Sequence, residues 1–293
     1  MTGWVAGDII DQQGRTLVVT GANSGLGAEA TKALARAGAN VILACRDVEK
    51  GRAVAEPLGE RAKVRRLDLA DLASVREFAE SIDSVDVLVN NAGVMGVPLR
   101  RTVDGFEMQI GTNQFGHFAL TALLLGKVRE RVVTMASIMH RIGTIELDDL
   151  NWEHRKYRRW PAYGQSKLAN LLFTYELQRR LAASGSKVKA LASHPGYAAT
   201  NLQSHTETVQ GRLLSLANPV IAQSAEMGAL PMLYAATVPD AGGGSYVGPS
   251  SMFETRGYPK VVESNGKAHD ETVARQLWSL SEQLTGVNFD FGG

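Results

Sequence analysis

A chain of 293 residues, 44% hydrophobic and 21% charged, can bury a large core and has the balance of an ordinary globular protein. The formal net charge of +1 gives no reason to expect nucleic acid or an anionic membrane as the main partner. A single cysteine, Cys45, excludes an internal disulfide framework and fits a reducing compartment. The first thirteen residues carry acids and no apolar core, and no later apolar run approaches the ~20 residues needed to span a bilayer. A cytoplasmic protein with no membrane anchor is therefore expected.

The run Leu17-Val18-Val19-Thr20 reads as a buried first strand. It stops at Gly21-Ala22-Asn23-Ser24-Gly25-Leu26-Gly27, and a helix is expected over 28–37. Strand, glycine loop and helix N-terminus together suit a pyrophosphate. Glycines let the backbone approach, and the helix start offers free N–H groups at the positive dipole end. The spacing is G-x-x-x-G-x-G, and the plainer reading of such a loop alone is a tight turn.

A second strand over 41–44 ends at Cys45, Arg46 and Asp47, where the adenosine ribose would lie. A carboxylate there suits a free 2′-hydroxyl, a guanidinium a 2′-phosphate. Arg46 points to NADP(H) as the preferred cofactor, with NAD(H) possible if Asp47 turns inward. The third strand, over 64–67, closes on Asp68-Leu69, where Asp68 either bonds an adenine amino group or caps the next helix. The fourth, over 85–89, runs into Asn90-Asn91-Ala92-Gly93, at a position where doubly wound sheets bind ligands.

Asparagine and glycine at Asn113 and Gly116 lower the propensity of a helix expected over 105–125 and call for a reason. A fifth strand over 131–135 ends at Ser137. The insertion over 142–160 holds the basic, aromatic run His154 to Trp160, read as a solvated loop beside a pocket. An amphipathic helix then opens at Pro161 and reaches about Ser184. Tyr163 and Lys167 stand four apart on it, so both leave one face, and a nearby ammonium should draw the phenol below its usual ~10. The plainer reading is two residues sharing a surface.

A sixth strand over 187–193 leads into His194-Pro195-Gly196 and Thr200, and the irregular pattern of 201–223 suits either a lid over an apolar substrate or a simple connector. A helix over 224–237, a short last strand over 244–247 and a helix over 270–284 complete the chain. The six histidines show no metal-ligand spacing and read as structural or surface groups; no metal is expected. The expected fold is a single-domain, doubly wound α/β Rossmann fold with a mainly parallel seven-stranded sheet. Residues 14–200 would form its cofactor and catalytic core, 201–223 the lid and 224–293 the C-terminal helices and last strand.

With these pieces in order, the chain resembles the short-chain dehydrogenase/reductase family. Thr20-Gly21-x-x-x-Gly25-x-Gly27, Asp68-Leu69, Asn90-Asn91-Ala92-Gly93, Asn113, Ser137, Tyr163-x-x-x-Lys167 and Pro195-Gly196 carry the likeness. Ala44-Cys45-Arg46-Asp47, Ser166-Lys167-Leu168-Ala169-Asn170 and the long gap between Ser137 and Tyr163 are similar to its retinol dehydrogenase-like branch, in a soluble, bacterial type. Two departures are the missing N-terminal anchor, which points away from retinoids, and a shortened link over 126–130.

The resemblance implies an enzyme that passes a hydride between NADP(H) and a CH–OH or C=O group. In it Tyr163 is general acid or base, Ser137 orients the substrate oxygen, Lys167 lowers the Tyr163 pKa and holds the ribose, and Asn113 seats a water that links Lys167 to solvent. Gly21, Asn23, Ser24, Gly25, Leu26, Gly27, Arg46, Asp68, Leu69, Asn91, Ala92, Gly93, Tyr163, Lys167, Pro195, Gly196 and Thr200 would hold the cofactor. Apolar Met95, Val97 and Met139 point to a lipophilic alcohol or carbonyl substrate, and the family's habit to a homodimer or homotetramer. A non-catalytic redox sensor would be expected to lose Tyr163 or Lys167. A sugar-nucleotide epimerase or dehydratase would have a different glycine spacing and a longer C-terminal part.

Overall fold

A strand buried on both faces needs apolar residues without alternation, and Thr16–Thr20 (β1) is such a run, with Leu17, Val18 and Val19 fully buried. The computed structural model describes residues 3–197 and 223–291, so Thr200 and nearly all of the expected lid lie outside the described residues. Asn40–Cys45 (β2), Ala62–Arg66 (β3) and Val85–Asn90 (β4) follow, each after a helix: Gly25–Arg36 (α1), Val48–Ala55 (α2) and Leu72–Glu80 (α3). Val128–Met135 (β5), Lys189–Ser193 (β6) and Tyr246–Ser251 (β7) extend the sheet in parallel, and Arg256–Val262 (β8) closes it antiparallel to β7. The order is β3-β2-β1-β4-β5-β6-β7-β8.

The expected Rossmann arrangement is therefore present, with eight strands among the described residues rather than seven. The eighth, β8, is an edge strand whose residues are mostly exposed, and Gly257, Pro259 and Lys260 interrupt any apolar run. Such a strand forms because β7 offers a free edge, and its own sequence carries little strand signal.

Helix ends obey local chemistry. Asp71 caps α3 by accepting from Ala73 N and Ser74 N, and Asp47 caps α2 by accepting from Lys50 N. Met108–Ile110 (α4) and Gly116–Leu124 (α5) are joined by one wide turn, Gly111–Phe115, where Gly116 N reaches back five residues to Gly111 O. Arg159–Ala183 (α6) was expected to be amphipathic and is instead buried without a break from Ala162 to Leu177. It lies between the sheet and Glu271–Thr285 (α8), so two of its faces are covered; Ala225–Thr237 (α7) packs with α1 on the opposite face of the sheet.

On the α5–α6 face, the indole of Trp278 (α8) gathers an aromatic cluster. Its ring centroid lies 5.2 Å from Phe118, 5.7 Å from Phe173 and 4.3 Å from Phe289. Among the described residues its Nε1 has no hydrogen-bond partner, so the indole works by volume, by ring contact and by the Arg180 guanidinium 4.4 Å above its ring. Trp278→Ala is expected to cost about 3–5 kcal/mol in urea unfolding. Trp278→Phe, which abandons no hydrogen bond, should cost less than half as much.

Candidate active site

The strand order turns back on itself between β1 and β4, and that switch opens a crevice beyond their carboxyl ends. Gly21 ends β1 with φ +65°, and a Cβ there would come within 2.9 Å of Ala92 Cα. At Gly27, in the first turn of α1, a Cβ would collide with Gly21 O and stand 2.7 Å from Asn91 Nδ2. Glycine thus sets how closely the helix start approaches the strand ends. Asn91 Nδ2 donates to Thr20 O at 2.7 Å, and the backbone N–H groups of Asn91 and Ala92 both donate to Thr20 Oγ1 at 2.9 Å.

Thr20 Oγ1 also meets His117 Nε2 at 2.9 Å, while His117 Nδ1 lies 3.0 Å from Asn113 O. A carbonyl only accepts, so Nδ1 carries the proton and Nε2 accepts from the threonine hydroxyl. Burial pushes the imidazole down to about 4, so it is neutral at pH 7. Asn113 sits in the wide turn between α4 and α5, fully buried. Its side chain bonds both the N–H and the C=O of Val94, at 2.8 and 2.9 Å, and Nδ2 also donates to Ser166 Oγ at 2.9 Å. The weak helix propensity at Asn113 thus marks a turn that aims this side chain at the loop after β4.

Tyr163 and Lys167 are both buried on α6. Lys167 Nζ donates to Met135 O at 2.9 Å and stands 5.7 Å from the centre of the Tyr163 ring. Ser137 follows β5, where its Oγ caps a short helical turn by accepting from Met139 N at 3.2 Å. Burial pushes the Tyr163 phenol up to about 12, with the Ser137 hydroxyl beside it pulling the other way. Burial also takes Lys167 down to about 7. The expected depression of Tyr163 by Lys167 is therefore not what the structure shows. Desolvation wins in both groups and pushes each towards its neutral form.

The crevice encloses ≈ 640 Å³, and the cofactor residues read from sequence line it from Gly21 round to Pro195, except Gly196 and Thr200. Gly196 (φ +65°) turns away to pack on the β7–β8 connection, where a Cβ would strike Thr255 O; Thr200 lies outside the described residues. Asp68 lines the crevice and accepts from Ala70 N at 3.0 Å; Asp71, not Asp68, caps α3. At the far end Asp47 is committed to the α2 cap and to Lys50 Nζ at 3.0 Å, which leaves Arg46 beside it. Of the apolar residues expected around a substrate, Met95 lines the crevice; Val97 is buried, and Met139 is half-buried against Gly164.

The short-chain dehydrogenase family model matches residues 15–210. The chain belongs to the short-chain dehydrogenase family. Within it, the sequence is 44% identical to human retinol dehydrogenase 13 over 291 residues, covering 94% of this chain and 85% of that protein. It is 40% identical to human retinol dehydrogenase 11, with 94% and 87% covered. In three dimensions an uncharacterised protein from Mycobacterium paratuberculosis superposes with a TM-score of 0.87 at 51% identity, over 99% of this chain and all of that one. The NADP complex of Pseudomonas aeruginosa RhlG gives a TM-score of 0.62 at 26% identity, over 80% and 94%. The protein is thus a short-chain oxidoreductase with a retinol dehydrogenase-like sequence. Among the described residues no helix is long and apolar enough to cross a membrane.

Against that family background, three residues at the site carry no role in the sequence reading, although Thr20 is quoted there within the glycine motif. Lys50 lines the crevice next to Arg46, yet reads as an ordinary helix-surface lysine. Thr20 and His117 join the ends of β1 and β4 to the Asn113 turn. The four-residue spacing of Asn113 and His117 was the available signal, because it stacks the two on one helix face.

Because His117 titrates near 6.5 when unfolded and near 4 when folded, the unfolded chain binds more protons between those values. Its share of stability is complete above 6.5 and is lost as pH falls towards 4, on the order of 3 kcal/mol. In urea melts, His117→Gln is expected to flatten the loss of stability between pH 6.5 and 4, by up to ~1.4 kcal/mol per pH unit. An unchanged slope would remove the neutral-imidazole assignment.

Proposed function

We propose that this protein is an NADP(H)-dependent oxidoreductase that interconverts a lipophilic alcohol and its aldehyde or ketone. The observation that carries the proposal is one crevice with two chemical ends. Tyr163 and Lys167 line one, with the Ser137 hydroxyl beside Tyr163, and Arg46 and Lys50 line the other. A dinucleotide fits the residues present: glycine at 21 and 27, where a Cβ would strike Ala92 and Gly21 O, lets the start of α1 come close to the strand ends and line the crevice with its free N–H groups. The cations at the adenosine end, with Asp47 turned to its own helix, favour a 2′-phosphate. That RhlG was solved with NADP, and that the curated relatives act as retinol dehydrogenases by name, supports the same reading.

When bound, the nicotinamide would supply or accept the hydride. Tyr163 does the proton work. With its pKa raised, the phenol stays protonated at pH 7 and can donate to a carbonyl oxygen as hydride arrives at the carbon. Ser137 is placed to donate a hydrogen bond to the same oxygen and to steady the phenolate left behind. Lys167, at the edge of its charged state, gains a proton more readily once a phenolate forms one turn away. Asn113 would seat the water through which Lys167 is refilled from solvent. Met95 and the aromatic surroundings of Tyr163 suit an apolar substrate. A homodimer or homotetramer in the cytoplasm completes the proposal; the one cysteine, buried and raised to about 11, fits a reducing compartment.

Tyr163→Phe should lower NADPH-linked turnover about 10²- to 10⁴-fold and leave NADPH affinity within a factor of a few. Equal turnover would remove the general acid. Arg46→Ala should weaken NADPH binding about 10- to 100-fold in fluorescence titration and leave NADH binding nearly unchanged. Parallel losses would sink the 2′-phosphate assignment.

A further inference from the structure

A buried polar knot lies just outside the crevice, and the chemistry above makes no use of it. Glu107, fully buried, accepts from Gln109 N and Ile110 N, both at 2.9 Å, and so caps α4. It also accepts from the Tyr157 hydroxyl at 2.9 Å. The fully buried Gln109 side chain donates to Tyr157 Oη and to Arg159 O, each at 2.9 Å, and accepts from Gly96 N at 2.8 Å. Three polar side chains thus tie the insertion before α6 to the loop that follows β4. Burying a carboxylate is costly, and Glu107 carries a raised pKa as a result.

What the knot sets in place is Trp160. Its indole lies against Gly96, where a Cβ would stand 3.3 Å from the ring. It meets the Tyr163 ring edge-on, with centroids 6.4 Å apart at 81°. Yet 43% of Trp160 remains exposed, whereas Trp278, which fills core volume, is 2% exposed. Trp160 precedes Tyr163 by three residues on α6, so both side chains leave neighbouring positions on one helix face. Gly96 in turn follows Met95, which lines the crevice.

We propose that the exposed face of Trp160 is a wall of the substrate pocket and selects aryl aldehydes and ketones over aliphatic ones of equal size. The proposal rests on the oxidoreductase reading of Tyr163 and Ser137. A carbonyl oxygen held by those two hydroxyls leaves its substituent next to the indole. An aryl ring there can stack offset on the indole or take the edge-to-face geometry that indole and phenol already share. A saturated ring of the same volume gains contact area without the quadrupole match, and so less.

The test uses the full chain, NADPH and a matched pair, 3-phenylpropanal and 3-cyclohexylpropanal, and reads the ratio of their kcat/KM values. Wild type should favour the phenyl compound. Trp160→Leu should lower that ratio roughly three- to tenfold, and Trp160→Phe should retain most of it. A role confined to folding would lower both substrates together and leave the ratio unmoved. An unchanged ratio in Trp160→Leu with NADPH binding intact overturns the proposal, as does a wild-type preference for the cyclohexyl compound. Tyr163-dependent turnover of aliphatic or steroid carbonyls, with neither test aldehyde accepted, overturns the Trp160 wall alone. Absence of Tyr163-dependent turnover for every carbonyl tried overturns the oxidoreductase reading with it.

Discussion

One buried hydroxyl joins the parts of this site. Thr20 Oγ1 accepts from two backbone N–H groups at the end of β4 and meets the ring of His117. That oxygen thus sets the distance between two adjacent strand ends and, through His117, the position of the Asn113 turn. Backbone N–H groups at strand ends need partners when buried, and a threonine hydroxyl is small enough to serve two at once. A valine at position 20 would match the strand equally well, but it would strip the Ala92 amide and an imidazole nitrogen of this partner and leave Asn91 N with Val89 O alone, at 3.0 Å. The glycines at 21 and 27 can bring helix α1 close only because those strand ends are already held together.

Burial then decides the chemistry of the two groups on α6. Four-residue spacing alone argues for an ammonium that acidifies a phenol. The structure reverses the balance, since both groups are nearly water-free and each is pushed towards its neutral form. For the proposed reduction, neutral forms would be the useful resting forms, because a phenol acting as general acid must hold its proton until the carbonyl oxygen becomes basic. Nζ has a fixed partner in Met135 O, and Asn170 Nδ2 donates to the same carbonyl at 2.9 Å. The lysine is therefore held in place whether or not it is charged, which separates its position from its protonation.

Much of this was legible from residues alone, for definable reasons. Buried parallel strands announce themselves as short apolar runs, and β1, β2, β4 and β6 were found within a few residues of their observed ends. Glycine spacing after β1 reported a close backbone approach that the structure contains. Tyr163, Lys167 and Ser137 could be singled out because the proposed chemistry needs those residue types, and the structure brings the three together. The eighth strand was invisible because edge pairing is decided by β7. The character of α6 was misread because nothing local says that a second layer, α8, covers its other side. Asn113 could be read as a helix weakness, but its partners, the Val94 backbone and Ser166, are distant in sequence.

The same limit explains why the Glu107 knot went unseen. Glu107, Gln109 and Tyr157 are polar residues in stretches that look solvated, and composition places such residues outside. They are inside because each satisfies another: the carboxylate caps α4, the amide bridges two loops, and the phenol bonds both. A network of that kind adds little net stability, since desolvation offsets most of what its hydrogen bonds contribute. Its effect is geometric. It fixes the approach of the insertion to the loop after β4, and that approach decides where the first turn of α6 begins. A helix that carries both Tyr163 and Trp160 in adjacent turns transmits any slip at its start to both rings, so the polar cost at Glu107 keeps the phenol and the indole in one frame.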